Sequence, residues 1–390
     1  MYRNLIGMGL VALAITSCSD GPTATDSEPE AGLSALSSGS PDVAGRFIVT
    51  LRQRTSPAAV AREHGVRPDY VYTHALTGFA GAISDAARQG LLRDSRVVRV
   101  EPDGIATIVG TQSNPTWGLD RVDQHALPLS KIYSYTKTGA GVTAYIIDTG
   151  ILFAHSEFDG RASSGYDAVN GGAADDCNGH GTHVAGTVGG ATYGVAKGAQ
   201  LVAVRVLDCR GSGTWSGVIA GIDWVTENHA APAVANMSLG GGANSSVDDA
   251  VRKMIASGVA TAIAAGNGNQ GGRAQDACKY SPARVAEAMT IGATDKTDTK
   301  ASWSNYGTCV DWFAPGVGIT SAWYTGATAT NTISGTSMAT PHTAGVAALY
   351  LEGTPSATAQ AVRDELYAQT SRGVVARANT ANNHLLFSNY

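Results

Sequence analysis

Three short segments hold residue types that could do chemistry together. Ile146-Ile147-Asp148-Thr149-Gly150 sets an aspartate at the end of an apolar run. His180-Gly181-Thr182-His183-Val184-Ala185-Gly186 opens a predicted helix behind a loop rich in Asx and glycine. Gly335-Thr336-Ser337-Met338-Ala339-Thr340-Pro341-His342 sets a serine at another helix start, among small residues. Singly, each has an ordinary reading. An Asp at a strand end is most often a turn or cap residue, and a Ser at a helix start is most often an N-cap. The paired histidines lack the four-residue spacing and the Glu of a helical zinc site. Together they could make a nucleophile. A serine hydroxyl reacts only when an imidazole accepts its proton and a carboxylate holds that imidazole in the right tautomer. Ser337 is then the expected nucleophile, His180 the base and Asp148 the orienting group. The Ser337 N–H, at a helix N-terminus, would face developing negative charge. Pro341 is expected in the first turns of its helix, where a missing N–H costs least. His183 and His342 are expected to be structural.

The elements that must position these residues can be read from hydrophobic pattern. From about Trp117 onward, short apolar runs at residues 142–147, 201–207, 234–237, 259–264 and 289–291 suit a buried parallel sheet. Helical candidates lie at 215–229, 247–257, 336–351 and 358–369. This is an α/β doubly wound pattern with a mainly parallel sheet, and ligands are expected at the carboxyl ends of its strands. Residues 45–108 read as a smaller unit. A polar–apolar alternation over 45–52 predicts a strand, and Ser56-Pro57 opens a helix. Two strands follow in 70–83, then a helix from Ser84-Asp85 to Leu92 and a strand at 97–100. Strand, helix, two strands, helix, strand predicts a ferredoxin-like α+β unit.

Composition excludes several function classes. Charged residues are 15% of the 390, with a formal net charge of −5, against roughly 25% charged in an average soluble domain. No long basic run offers a nucleic-acid surface. Glycine numbers 48 and proline only 13, without a Gly-X-Y period, which excludes collagen. No apolar stretch reaches the roughly 18 residues of a spanning helix. Residues 1–18 read as an export signal, with Arg3 ahead of the apolar run 5–15. The ending Ile15-Thr16-Ser17-Cys18 resembles a bacterial lipobox, in which Cys18 is lipidated; cleavage after Ala14 is the alternative. Residues 19–44 hold almost no large apolar side chain and are expected to be a flexible linker.

The order Asp, His, Ser on an α/β pattern resembles the subtilisin-like serine proteases, and differs from the orders in chymotrypsin and the α/β-hydrolases. Within that family the chain resembles the proteinase K branch and its aqualysin-type members. The resemblance implies an oxyanion-hole role for Asn267, in Ala264-Ala265-Gly266-Asn267 after a buried strand. It implies that an extended peptide pairs with two strand edges, here Ser238-Leu239-Gly240-Gly241 and Gly211-Ser212-Gly213. The first specificity pocket would be walled by Leu239, Gly240, Ala264, Ala265 and Gly266. Small uncharged walls predict large apolar or aromatic residues at P1, the substrate position before the cut, and otherwise broad endopeptidase activity.

Setting Cys18 aside leaves Cys177, Cys209, Cys278 and Cys309, an even number in an exported chain with three possible pairings. The resemblance implies Cys177–Cys209 and Cys278–Cys309. It also implies structural calcium, with no cofactor for catalysis. Asp311 with the carbonyls of Ala286 and Ala288 matches one site. Asp120, Asp123 and Gln124 match part of another, although Ser130 and Ile132 replace better oxygen donors there. Residues 45–112 resemble the propeptide that chaperones folding and then inhibits, leaving 113–390 as the catalytic domain. The tail 106–112 would lie along the cleft before autoprocessing, and the mature chain would begin near 110–114. A lipid on Cys18 would anchor only the precursor to the membrane. The expected partners are protein and peptide substrates and the chain's own propeptide, with no nucleic acid; a monomer without a C-terminal secretion domain is expected. Two other classes fit less well. A silent peptide-binding protein would not keep Asp148, His180, Ser337 and Asn267 intact, and a small-ester hydrolase would not need glycine-edged strands or a propeptide.

Overall fold

The computed structural model describes residues 45–103, 110–269 and 271–390. Cys18, the signal, the linker and the tail residues 106–109 lie outside them. The chain forms two compact units, which divide after Ala106.

The first unit follows the predicted order: β1 (Arg46–Leu51), α1 (Pro57–Glu63), β2 (Tyr70–Tyr72), β3 (Gly78–Ala82), α2 (Asp85–Leu91) and β4 (Val97–Pro102). Its sheet order is β2-β3-β1-β4, the ferredoxin-like arrangement. Both helices start where the sequence supplies a cap. Ser56 Oγ accepts from Ala59 N and Ser84 Oγ from Ala87 N. Val49, Leu51, Val60, Phe79 and Leu91 close its core.

The second unit begins with β5 (Gly110–Ser113), α3 (Trp117–Val122) and β6 (Ile132–Tyr135). Then come β7 (Thr143–Asp148), β8 (Ala162–Asp167), α4 (His180–Gly189), β9 (Gln200–Arg205) and α5 (Trp215–Asn228). Next are β10 (Ala233–Met237), β11 (Gly241–Gly242), α6 (Ser245–Ala256), β12 (Ala260–Ala264), β13 (Tyr280–Ser281) and β14 (Met289–Thr294). The chain ends through β15 (Trp312–Pro315), β16 (Ile319–Ala322), β17 (Thr330–Ile333), α7 (Thr336–Gly353), α8 (Ala359–Gln369), β18 (Ser371–Arg372) and β19 (His384–Leu385).

Nine strands form the main sheet in the order β18-β19-β15-β14-β12-β10-β7-β9-β8, parallel from β8 through β19. Both faces are covered, so the strands read as apolar runs. Ala144 and Ile146 face a core shared with Val184, Val188 and the α7 residues Ala344 and Val346. Tyr145 and Ile147 face the opposite core with Val218 and Ile222 of α5 and Val251 and Met254 of α6. After β7 the chain moves to β9 and β8 on one side, then returns to β10, β12 and β14 on the other. That reversal opens a crevice beyond the carboxyl end of β7.

Three features depart from the sequence reading. Strands β8 and β19 carry no alternation or run long enough to announce them, and the short apolar run Trp312-Phe313-Ala314 of β15 is not among the predicted strands. The tail residues 110–112, expected along the cleft, instead form β5, which pairs antiparallel with β6 while Gln112 Nε2 donates to Thr192 O at 3.1 Å. Finally, Pro341 sits inside α7, beyond its first turn.

Candidate active site

The crevice collects the three chemistry-bearing segments. Asp148 ends β7 and is fully buried. Its Oδ1 receives His180 Nδ1 at 2.7 Å and Thr149 N at 2.8 Å. Its Oδ2 is buried without a hydrogen-bond partner. His180 is the first residue of α4, entered through Gly179 at φ +108°. A side chain there would be strained, and its Cβ would lie 2.6 Å from the Trp323 ring.

A residue missed in the sequence holds this corner. Asp176, itself buried, accepts from Thr149 Oγ1, Asn178 N and Gly179 N on one oxygen and from Thr182 N and Thr182 Oγ1 on the other. Thr149 Oγ1 in turn accepts from Gly181 N at 2.9 Å. The histidine loop is thereby fastened to the aspartate strand. Burial opposes protonation of His180, but the charge and hydrogen bond of Asp148, with Asp176 behind, outweigh it and raise the imidazole pKa above its usual 6.5. His183 and His342 behave differently. Both are buried, hydrogen-bond the carbonyls of Ile319 and Met338, and are pushed down to about 4, which suits neutral structural residues.

Ser337 is the second residue of α7, and its Oγ donates to Ser238 O at 3.0 Å. Gly335 borders a small space: a Cβ added there would lie 3.4 Å from Asn267 Nδ2 and 3.5 Å from Ser337 N. Two hydrogen-bond donors therefore flank one spot beside the serine. Asn267 is oriented by its other amide atom, since Oδ1 accepts from Thr336 N and Thr336 Oγ1 at 2.8 and 2.9 Å. Asn305, also unforeseen, braces the loop: its Nδ2 donates to Ala265 O, and its Oδ1 accepts from Gly268 N and Gln275 N. An imidazole held by a buried carboxylate, a nearby hydroxyl and two converging donors can together form and stabilise a tetrahedral oxyanion.

Pro341 shows how the serine helix tolerates its position. A residue there would normally donate to the Ser337 carbonyl four residues back, and proline has no N–H to give. Ser238 Oγ donates to Ser337 O instead, at 2.8 Å, while accepting from Asn236 Nδ2 at 2.8 Å.

Two hollows meet at Ser238, Leu239 and Gly240. One, of about 560 Å³, is lined by Gly211, Ser212 and Gly213, by Leu239 and Gly240, and by His180. Leu207, Arg210 and Trp215 also line it and were not foreseen. The other, of about 580 Å³, is walled by Ala264, Ala265, Gly266, Tyr280 and Ala283 and reaches Ser337. Its lining holds no carboxylate, amine or guanidinium. Gly241 and Gly242 pair with Ser281 and Tyr280, and both still line the first hollow beside residues 238–240. The disulfides Cys177–Cys209 and Cys278–Cys309 are both present. The first ties the loop before His180 to the loop leading to Gly211.

The two calcium sets differ in fit. At Asp311, Oδ2 accepts from Thr290 N, and Oδ1 meets Arg363 Nη2 at 2.5 Å. Arg363 Nε donates to Ala288 O at 3.2 Å. A guanidinium thus holds the carboxylate and one of the two carbonyls expected to hold calcium, and that set does not fit the ion. At the other set, Asp120 accepts from Ser130 N, Ser130 Oγ and Lys131 N, and Gln124 Oε1 from Ser130 N. Asp123 Oδ2 accepts from Ser134 N, but Oδ1 is buried without a hydrogen-bond partner. Burial, with the Asp120 charge adding to it, pushes the Asp123 carboxyl up to about 6. An orphaned oxygen beside a second carboxylate fits a cation.

Comparison with known proteins agrees with this geometry. Residues 139–387 match the model of the subtilase family, and residues 46–108 match the peptidase inhibitor I9 model. The chain is 50% identical to an extracellular serine proteinase of Thermus sp. (strain Rt41A), over 99% of each chain. It is 48% identical to alkaline serine exoprotease A of Vibrio alginolyticus, over 89% of this chain and 68% of that one. The crystal structure of a cold-adapted subtilisin-like serine proteinase is 54% identical, with a TM-score of 0.68, covering 71% of this chain and 99% of that one.

Proposed function

The chain belongs to the subtilase family of serine proteases and carries an inhibitor I9 segment ahead of its protease domain, and from that premise we propose how its residues divide the work. Ser337 Oγ attacks the scissile carbonyl carbon as His180 Nε2 takes its proton. Asp148 holds His180 Nδ1 and stabilises the imidazolium. The Ser337 N–H and Asn267 Nδ2 receive the oxyanion. His180 then gives its proton to the leaving amine, and water hydrolyses the acyl-enzyme by the same route. The observations that support this reading are the 2.7 Å Asp148–His180 bond beside one hollow and, lining the hollow that adjoins it at Ser238, a serine whose backbone N and Asn267 Nδ2 border one space. The Ser337 hydroxyl must turn from Ser238 O toward His180; hydrogen bonds of this kind commonly tighten only around substrate.

The peptide lies between Gly211–Gly213 and Ser238–Gly240, held mainly by backbone pairing, which favours broad endopeptidase action. The uncharged hollow beside Ser337 accepts a large apolar or aromatic P1 side chain. A strict preference for Arg or Lys there, measured on a peptide series, would refute that specificity.

The precursor divides into a signal at 1–18, a linker at 19–44, a propeptide at 45–112 and a catalytic domain at 113–390. The mature chain begins near 110–114, the stretch in which Gly110–Ser113 already pairs within the second unit. The extracellular Thermus relative supports export. The lipid on Cys18 rests on residues 15–18 alone; detecting it on a fully active chain with an uncut 106–117 junction would refute release by maturation. Calcium has no catalytic part. Asp120, Asp123 and Gln124 would hold it, and it would supply the counter-charge that Asp123 Oδ1 lacks.

Intact-mass analysis beside a Ser337→Ala variant tests the central assignment. Loss of the first ~110 residues in the unmodified chain only makes Ser337 the processing nucleophile. Equal cleavage of both, with no loss of activity on an added peptide in the variant, removes Ser337 from the mechanism.

A further inference from the structure

A buried carboxylate needs a cation, and Asp311 has one built into the chain. Only 7% of Asp311 is exposed, just before β15. Thr290 N–H reaches one oxygen at 2.7 Å and the Arg363 guanidinium the other at 2.5 Å. Through Nε the same guanidinium also takes Ala288 O at 3.2 Å. Its Nη1 also lies 3.8 Å from Asp364, which is largely exposed. Calcium needs six to eight oxygens at about 2.3–2.6 Å. A fork that already occupies the carboxylate and a carbonyl removes two of them and repels a second cation. Arginine suits this place because it is always charged, planar and weakly hydrated.

We propose that Arg363 replaces calcium at the Asp311 site, making that corner of the fold independent of metal and fastening α8 to the sheet. Ala359, Val362 and Leu366 bury one side of α8 and Tyr367 packs on the same core beside Trp312, and the ion pair adds a charged link from Arg363 to the residue just before β15. The inference concerns stability and stands whether or not Ser337 is the nucleophile.

The test uses full-length chain carrying Ser337→Ala to prevent self-digestion. Melting temperature and bound calcium per chain (by equilibrium dialysis) are read for this parent, for Arg363→Met, for Asp311→Asn and for Arg363→Met with Asp311→Asn. In excess chelator Arg363→Met should melt about 5–10 °C lower, because a buried carboxylate loses its partner. Calcium should restore most of that loss, with one more ion bound than in the parent. The double variant should show neither gain, which separates this site from any calcium held near Asp123. Should Arg363→Met fold only in calcium, the extra bound ion supports the proposal equally. The proposal is overturned if Arg363→Met matches the parent in stability and calcium count. It is equally overturned if the variant is destabilised but calcium neither binds nor rescues, or if Asp311→Asn alone removes a calcium from the parent.

Discussion

Replacing Ser238 with alanine asks how the helix that presents Ser337 survives an internal proline. The Ser238 side chain is almost fully buried, donates to Ser337 O and receives Asn236 Nδ2, both at 2.8 Å. Alanine removes both partners. Ser337 O then has no donor from Pro341 and none from residue 238, and Asn236 Nδ2 loses its acceptor. Each buried group left unpaired costs about 1–3 kcal/mol, so the loss should be about 2–6 kcal/mol. At about 2–4 °C per kcal/mol for a domain of roughly this size, the melting temperature should fall by about 4–24 °C. Stability alone would not identify the cause, because any buried polar loss destabilises. Pro341→Ala supplies the discriminating arm, since it restores an N–H aimed at Ser337 O. In that background Ser238→Ala should cost about 1–2 kcal/mol less, the worth of one buried carbonyl satisfied again. Urea unfolding of the four chains, all carrying Ser337→Ala, measures the cycle. Additivity within about 0.5 kcal/mol would refute the claim that the serine hydroxyl stands in for the proline's missing donor.

Three further outcomes follow from the site. Asp148→Asn should lower kcat by about 10⁴ and move the acid limb of kcat/KM. Activity needs neutral His180, whose pKa Asp148 raises above 6.5, so activity is lost as pH falls through that raised value. Without the carboxylate, burial remains and the limb should shift to lower pH; an unmoved limb in a pH–rate series would exclude the pairing as its origin. Asn267→Ala should lower kcat by about 10²–10³ with KM nearly unchanged, as a transition-state donor requires; steady-state kinetics in which the loss falls on KM instead would assign Asn267 to substrate binding. Cys177→Ser with Cys209→Ser opens a loop closed across 32 residues and should cost about 3–4 kcal/mol in the chain-entropy model. Denaturant unfolding with a loss under about 1 kcal/mol would mean that Asp176 and its hydrogen bonds hold the histidine loop without the disulfide.

Local chemistry made much of this protein legible in its sequence. The ferredoxin-like unit could be read because each of its elements carries its own signal: Ser56 and Ser84 cap helices, and its strands alternate or are bounded by turns. The five apolar runs of the main sheet could be read because burial on both faces forces them to be apolar. The segments around Asp148, His180 and Ser337 were visible because their chemistry demands those residue types beside small residues. Other assignments depended on pairing between distant positions. Asp176 was one acid in an Asx- and glycine-rich loop until Thr149 and Thr182 closed around it, and Asn305 carried no assignment until Ala265, Gly268 and Gln275 met it. Pro341 was expected where its missing N–H is harmless; it lies deeper in the helix because Ser238, 99 residues from Ser337, supplies the bond. Asp311 matched a metal ligand, yet Arg363, 52 residues away, takes the cation's place. Sequence pattern records what a residue needs from its chain neighbours and from burial. Which hydroxyl or guanidinium meets an orphaned carbonyl or carboxylate depends on which elements pack together, and that only the tertiary structure decided.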